Sequence, residues 1–187
     1  MPEAQKALFK EILTNMNFKP MKYILLFIFS TLLNAHPHCF VDVYPTIKKD
    51  SINIKWVFDE MSSQMLIMDF DTNHDGKIDK KESEYIYKEA FMHLREYDYY
   101  IYMHNGKKKL KTPDATGFKA SIKNFRFTYI FTIKLNKDIT DIDFYDEDMF
   151  TAFVVEPEFL KIKNNSKKIT LKEMDHDYFY GYKLEFK

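Results

Sequence analysis

Residues 71–82 read DTNHDGKIDKKE, and the spacing of oxygen-bearing side chains in this stretch organises the reading of the whole chain. Asp71, Asn73 and Asp75 stand at positions 1, 3 and 5, Gly76 at 6, Asp79 at 9 and Glu82 at 12, with the backbone carbonyl of Lys77 at 7. A hard cation of calcium's size takes about six to eight oxygens, so a chain must wrap it within one short loop. Gly76 permits the sharp turn because it has no Cβ. Ile78, at position 8, directs its side chain away from such an ion. The pattern is that of an EF-hand calcium loop, with Asp71, Asn73, Asp75, Lys77, Asp79 and Glu82 as the expected ligands and Ca2+ as the expected ion.

The flanks agree. Met61, Met65 and Met68 with Phe70 recur at helical spacing before the loop, and Ile86, Ala90 and Leu94 after it, which predicts two amphipathic helices. Asp59 is the expected N-cap of the first, and the second is expected to run to Tyr97, so the insertion occupies residues 59–97. The acidic stretch Asp138 to Asp148 has no glycine at the turn position and the wrong acid spacing, so a single loop is expected.

Outside the insertion the pattern has the period of strands. Cys39 to Tyr44 alternates, and Ser51 to Phe58 sets Ile52, Ile54 and Trp56 against Asn53, Lys55 and Val57, which predicts an antiparallel hairpin turning at Lys48 to Ser51. From Tyr99 onward, short β-runs separated by polar turns continue to Phe186. The expected fold class is therefore α+β: a β-sandwich-like body with an inserted EF-hand helix-loop-helix between its second and third strands. The Tyr- and Phe-rich C-terminal half reads as core and sheet surface, and Phe144 to Phe150 as a contact surface.

Composition narrows the function. Hydrophobic residues make up 45% of the 187 and aromatics 17%, enough for a packed core and against disorder. The formal charge is zero with acids and lysines interleaved, so no basic face recommends nucleic acid. Few serines, no Gly-rich nucleophile elbow and no HExxH helix leave no hydrolytic constellation; the chain reads as a non-enzyme.

The first 35 residues read as a leader. Lys22 precedes an apolar run from Tyr23 to Leu33, and Leu33-Asn34-Ala35 ends it on a small residue, as in a cleaved secretory signal peptide. The run is shorter than the roughly 20 residues of a membrane span, so no stable membrane insertion is expected after cleavage. Met21 is the better initiator, and residues 1–20 an upstream extension. The reading divides the chain into 1–35, extension plus signal, and 36–187, one periplasmic domain. Without residues 1–35 there remain 24 basic and 26 acidic residues, a net charge of about −2. His36, Pro37 and His38 ahead of Cys39 are not a lipobox, and one cysteine makes no internal disulfide.

Cleavage after Ala35 would begin the mature chain His36-Pro37-His38-Cys39. An α-amine, two imidazoles and a thiol are nitrogen and sulfur donors suited to Zn2+, Ni2+ or copper. Pro37 has no amide proton, which excludes the square-planar site built on successive deprotonated backbone amides. What remains is chelation by the amine and ring of His36, as in half of a copper histidine brace, or a tetrahedral zinc site of His36, His38 and a remote ligand, for which His176 is the best candidate. On a strand Cys39 shares the face of Val41 rather than that of His38 and reads as a small buried hydrophobe. His74 occupies a non-ligating loop position, and His93 and His104 read as bland surface or edge residues.

Four motifs together carry a resemblance: His36-Pro37-His38 with Phe40, Val41 and Asp42; Trp56 to Glu60; Asp69-Phe70-Asp71 leading into the loop; and Phe144-Tyr145-Asp146. Across essentially the whole mature chain they resemble DUF1007, a family of uncharacterised bacterial periplasmic proteins often labelled as a periplasmic component of ABC-type transport systems. In that family the position of Cys39 is typically aliphatic, and Glu147 stands where relatives carry proline. The resemblance implies a companion role to an inner-membrane permease of the nickel/cobalt type, with zinc as cargo; a chain this short lacks the two lobes of most ABC substrate-binding proteins. The expected function is a periplasmic metal-binding accessory for transport of zinc, or of nickel or cobalt, with a structural calcium site. The alternative is a calcium-stabilised periplasmic interaction module without transition-metal cargo.

Overall fold

The computed structural model describes residues 39–165, 167–175 and 180–187. Strands β1 (Cys39–Ile47) and β2 (Ser51–Phe58) form the expected hairpin, closed by the Lys48 amide donating to the Ser51 carbonyl at 2.8 Å. Their register sets Val43 opposite Trp56 and Ile47 opposite Ile52. Because side chains alternate across a strand, Val41, Val43 and Ile47 fall on the face of Ile52, Ile54 and Trp56, and all six are buried.

The remaining strands are β3 (Ile101–Asn105), β4 (Lys108–Leu110), β5 (Thr116–Lys123), β6 (Arg126–Lys134), β7 (Asp141–Phe144), β8 (Thr151–Val154), β9 (Lys161–Ile162), β10 (Ile169–Asp175) and β11 (Tyr180–Phe186). One sheet runs β5-β6-β2-β1-β8, with β9 also paired to β1; the other runs β10-β11-β7-β3-β4. Strands β8 and β9 lie parallel to β1, and Pro45, which offers no N–H, falls in the gap between their pairings. Phe127, Phe131 and Ile133 of the first sheet and Ile101, Met103, Ile142 and Leu184 of the second are fully buried in one shared cluster. The fold is α+β and mostly sheet.

Two helices, α1 (Glu60–Phe70) and α2 (Lys80–Glu89), stand between β2 and β3. Asp59 caps α1 as expected, its carboxylate accepting from the Ser62 amide at 2.9 Å and the Ser62 hydroxyl at 2.6 Å. The same carboxylate accepts from the Phe40 amide at 2.8 Å, which fixes the helix start to β1. Ser63, completely buried, donates its hydroxyl to the Phe58 carbonyl at 3.0 Å and accepts from the Phe127 amide at 2.9 Å. It joins α1 to β2 and β6.

Those hydrogen bonds overturn the expected orientation of α1. Met61, Met65 and Met68 are 62%, 62% and 77% exposed, whereas Ser62 and Ser63 face inward and Leu66, Ile67 and Phe70 pack on the core. Two serines inside outrank three methionines because each hydroxyl meets a fixed strand or cap group, and those groups set the rotation of the helix.

The second helix also ends earlier than expected, at Glu89, and a 3-10 segment covers Phe91–Tyr100. Phe91 and Tyr99 stack with ring centroids 5.5 Å apart, whereas eight residues of straight α-helix would separate them by roughly 12 Å. Left-handed backbone at Asp98, Tyr99 and Tyr100 turns the chain so that both rings enter the core.

Replacing Ser63 by Ala should lower the unfolding free energy by about 1–3 kcal/mol, since the buried Phe127 amide loses its acceptor. Urea denaturation measures this. Gln64→Ala, on the exposed face of α1, should change it by less than about 0.5 kcal/mol.

Candidate functional site: the loop between the two helices

The loop leaves α1 at Asp71 and enters α2 at Asp79, so both of its ends are helix caps. Gly76 has φ +76 and His74 φ 58, left-handed conformations that let the seven residues between the caps double back. The loop's oxygens point inward onto its own amides. Asp71 accepts from the Asp75 amide at 3.1 Å and the Gly76 amide at 2.9 Å. Asn73 accepts from Asp75 at 2.9 Å, and Asp75 from Lys77 at 2.9 Å.

Glu82 closes the arrangement. One carboxylate oxygen accepts from the Thr72 amide at 2.8 Å and the Thr72 hydroxyl at 2.9 Å. The other accepts from the Asp79 amide at 2.9 Å, while Asp79 accepts from the Glu82 amide at the same distance, a reciprocal capping box. A single carboxylate thereby ties the exit of α1 to the start of α2. The Asp79 amide, more than any other donor, holds the Glu82 carboxyl below the usual carboxylate range, with Thr72 adding to it against the opposing effect of burial.

Asp71 and Glu82 are 3% and 5% exposed, yet among the described residues neither is in an ion pair; the nearby pair, Lys80 with Glu84, is on the surface. Buried carboxylates without a cationic partner are costly. The donor set is also of one kind: four carboxylates, the Asn73 amide oxygen and the Lys77 carbonyl, all hard oxygens suited to Ca2+. The residues present fit that ion. In this conformation the carboxylates serve the loop amides, and no three His, Cys, Asp or Glu side chains are gathered as a cage among the described residues.

Of the expected transition-metal ligands, His36, His38 and His176 lie outside the described residues. Cys39, at the first position of β1, is partly buried on the core face; burial pushes its thiol up, outweighing the Ser62 side chain, which opposes the thiolate form a metal would need. His74 is exposed, as expected, and Ile78 packs against the core. His93 lies in the 3-10 segment and is exposed. The stretch expected as a contact surface is internally pinned: Asp146, 5% exposed, accepts from the Asp148 and Thr151 amides at 3.0 Å each.

Sequence reasoning missed one cluster. His104 Nε2 lies 3.3 Å from Asp143 on the neighbouring strand, and Lys183 Nζ lies 3.7 Å from the same carboxylate on the next. Burial pushes the Asp143 carboxyl up, with Lys183 and His104 pulling it down. The three residues are far apart in sequence and meet only through the β3-β7-β11 register, so no local signal announces them.

The family model described as "Protein of unknown function (DUF1007)" matches residues 21–174. Among curated proteins, an "Uncharacterized 15.5 kDa protein in trpE 3'region" from Spirochaeta aurantia is 36% identical over 110 residues, covering 54% of this chain and 79% of that protein. No solved structure matches the chain. No helix among the described residues is long and apolar enough to cross a membrane.

The geometry of Glu82 sets a pH dependence. Its folded pKa is lowered, so its contribution to stability is fully present above the unfolded value of about 4.3 and is lost as pH falls through the folded value. In chelator, the unfolding free energy should fall as pH drops below about 4, and Glu82→Gln should flatten that fall. Denaturant melts across pH 2.5 to 6, on the order of half a unit apart, check this.

Proposed function

The chain belongs to the DUF1007 family of proteins of unknown function, and from that premise we propose that it is a calcium-stabilised periplasmic accessory that binds a transition metal and serves a membrane metal permease. The observation that carries the calcium half is the pair of buried carboxylates Asp71 and Glu82, neither in an ion pair among the described residues, at the two ends of a loop lined by hard oxygens. Asp71, Asn73, Asp75, Asp79 and Glu82 would hold the ion with the Lys77 carbonyl. Calcium there neutralises the buried charge and fixes the spacing of α1 and α2. A lone loop of this kind outside the cytosol binds weakly, with Kd on the order of 0.1 to 1 mM.

The cargo half rests on the residues His36-Pro37-His38 immediately ahead of β1. Two imidazoles close to a chain terminus suit reversible capture of Zn2+ or Ni2+ and release to a permease of the nickel/cobalt type, with His176 as remote ligand. Export follows from the leader reading of residues 1–35.

One observation favours a second reading, a calcium-stabilised interaction module without cargo. The exposed Met61, Met65 and Met68 form a flexible apolar face on α1, the kind of surface that adapts to a protein partner.

Calorimetric melts with calcium at tenfold to hundredfold excess over Kd should show a gain of about 1.4–2.7 kcal/mol. The gain should vanish in Asp71→Asn and in Glu82→Gln; a gain unchanged in both variants would remove the calcium site. With calcium saturating, competitive zinc titration of the chain beginning at His36 should give submicromolar binding that is lost in the His36→Ala, His38→Ala double variant. Weak binding, equal in both proteins, leaves the interaction module.

A further inference from the structure

The outward face of α1 carries three thioethers. Met61, Met65 and Met68 are 62%, 62% and 77% exposed, while Ser62 and Ser63 on the opposite face are held by the Asp59 carboxylate, the Phe58 carbonyl and the Phe127 amide. At 3.6 residues per turn, positions 61, 65 and 68 fall within an arc of about 60°, with axial steps of about 6 Å and about 4.5 Å. They form one short column on a helix whose rotation is fixed. Each sulfur ends an unbranched, flexible stem, and at this exposure no packing restrains it, so neighbouring sulfurs in the column can turn toward one another.

The charge around the column favours a cation. Residues 59–71 include Asp59, Glu60, Asp69 and Asp71 and no lysine, arginine or histidine. Met68 lies in the last turn of α1, at the negative end of the helix dipole, and no basic side chain occupies that turn. Asp59 and Asp71 are engaged with backbone amides, whereas Glu60 and Asp69 are exposed. Thioethers are soft, neutral donors, which select Cu(I) rather than the hard ion that suits the oxygens of the loop. Leucine would give the helix an apolar face of similar volume; methionine adds the sulfur.

We propose that Met61, Met65 and Met68 form a binding site for a soft monovalent metal ion, Cu(I), on the outer face of α1, with their three sulfurs as ligands. Neutral ligands leave the ion its positive charge, which the acids of the segment and the helix C-terminus offset. The site is separate from the calcium loop and from the histidines ahead of β1. It uses the face on which the second functional reading rests, and it stands whether or not a protein docks there.

Anaerobic titration of the chain with Cu(I) against a chromophoric Cu(I) chelator tests this, in a His36→Ala, His38→Ala, Cys39→Val background that removes the competing nitrogen and thiol donors. One equivalent should bind, and the ε-methyl resonances of Met61, Met65 and Met68 should shift together. Ag(I) should move the same three methyls and Zn2+ should not. Each single change to Leu, which conserves volume, should weaken binding at least about tenfold. The triple variant should lose it while keeping its far-UV circular dichroism. Met92→Leu, at an exposed methionine outside the column, should leave binding unchanged. Absence of binding, its retention by the triple variant, or saturation without movement of those three methyls overturns the proposal. Because the background lacks His36 and His38, none of these outcomes bears on the histidine site.

Discussion

A helix that leaves a sheet must satisfy its first amides and choose which face to bury, and both are decided here within five residues. Asp59 binds the Phe40 and Ser62 amides with one carboxylate, and Ser63 bridges the Phe58 carbonyl and the Phe127 amide with one hydroxyl. Although burial of Asp59 acts in the opposite sense, its donors hold the carboxyl below the usual range, so the junction stays charged and engaged. Three strands and a helix are joined at this point, and the position of everything after it, the loop included, follows.

The loop inherits a defined entry and supplies its own exit. Glu82 reaches back across ten residues to Thr72 and three to the cap at Asp79, which makes it a helix-capping group at the position proposed as the last calcium ligand. These roles are compatible because both require a charged carboxylate directed at the loop interior. They also explain its burial: a carboxylate that meets several donors inside is retained there despite desolvation. The stability of the helix pair and the proposed cation site thus rest on the same side chain.

The exposed face of α1 follows from the same junction. With the serines turned inward, α1 offers the core only Leu66, Ile67 and Phe70 as apolar groups, and Met61, Met65 and Met68 face outward. Trp56 packs edge-on to Phe131 and tilted against Phe153. The exposed methionine face and the inward serines are two consequences of one rotational choice.

By itself the sequence determined the features that depend on local spacing. Period-two alternation in 39–58 set the hairpin and its buried face, polar turns marked the later strands, and the ligand spacing in 71–82 located a loop between two helices. Tertiary structure decided whatever depends on groups distant in the chain. The rotation of α1 is set by Phe40, Phe58 and Phe127; the end of α2 by the stacking of Phe91 on Phe118 and Tyr99; the His104–Asp143 contact by strand register. Helical periodicity weighs each apolar residue alike, whereas a buried hydroxyl with two fixed partners outweighs several methionines, and that preference exists only once the strands are in place.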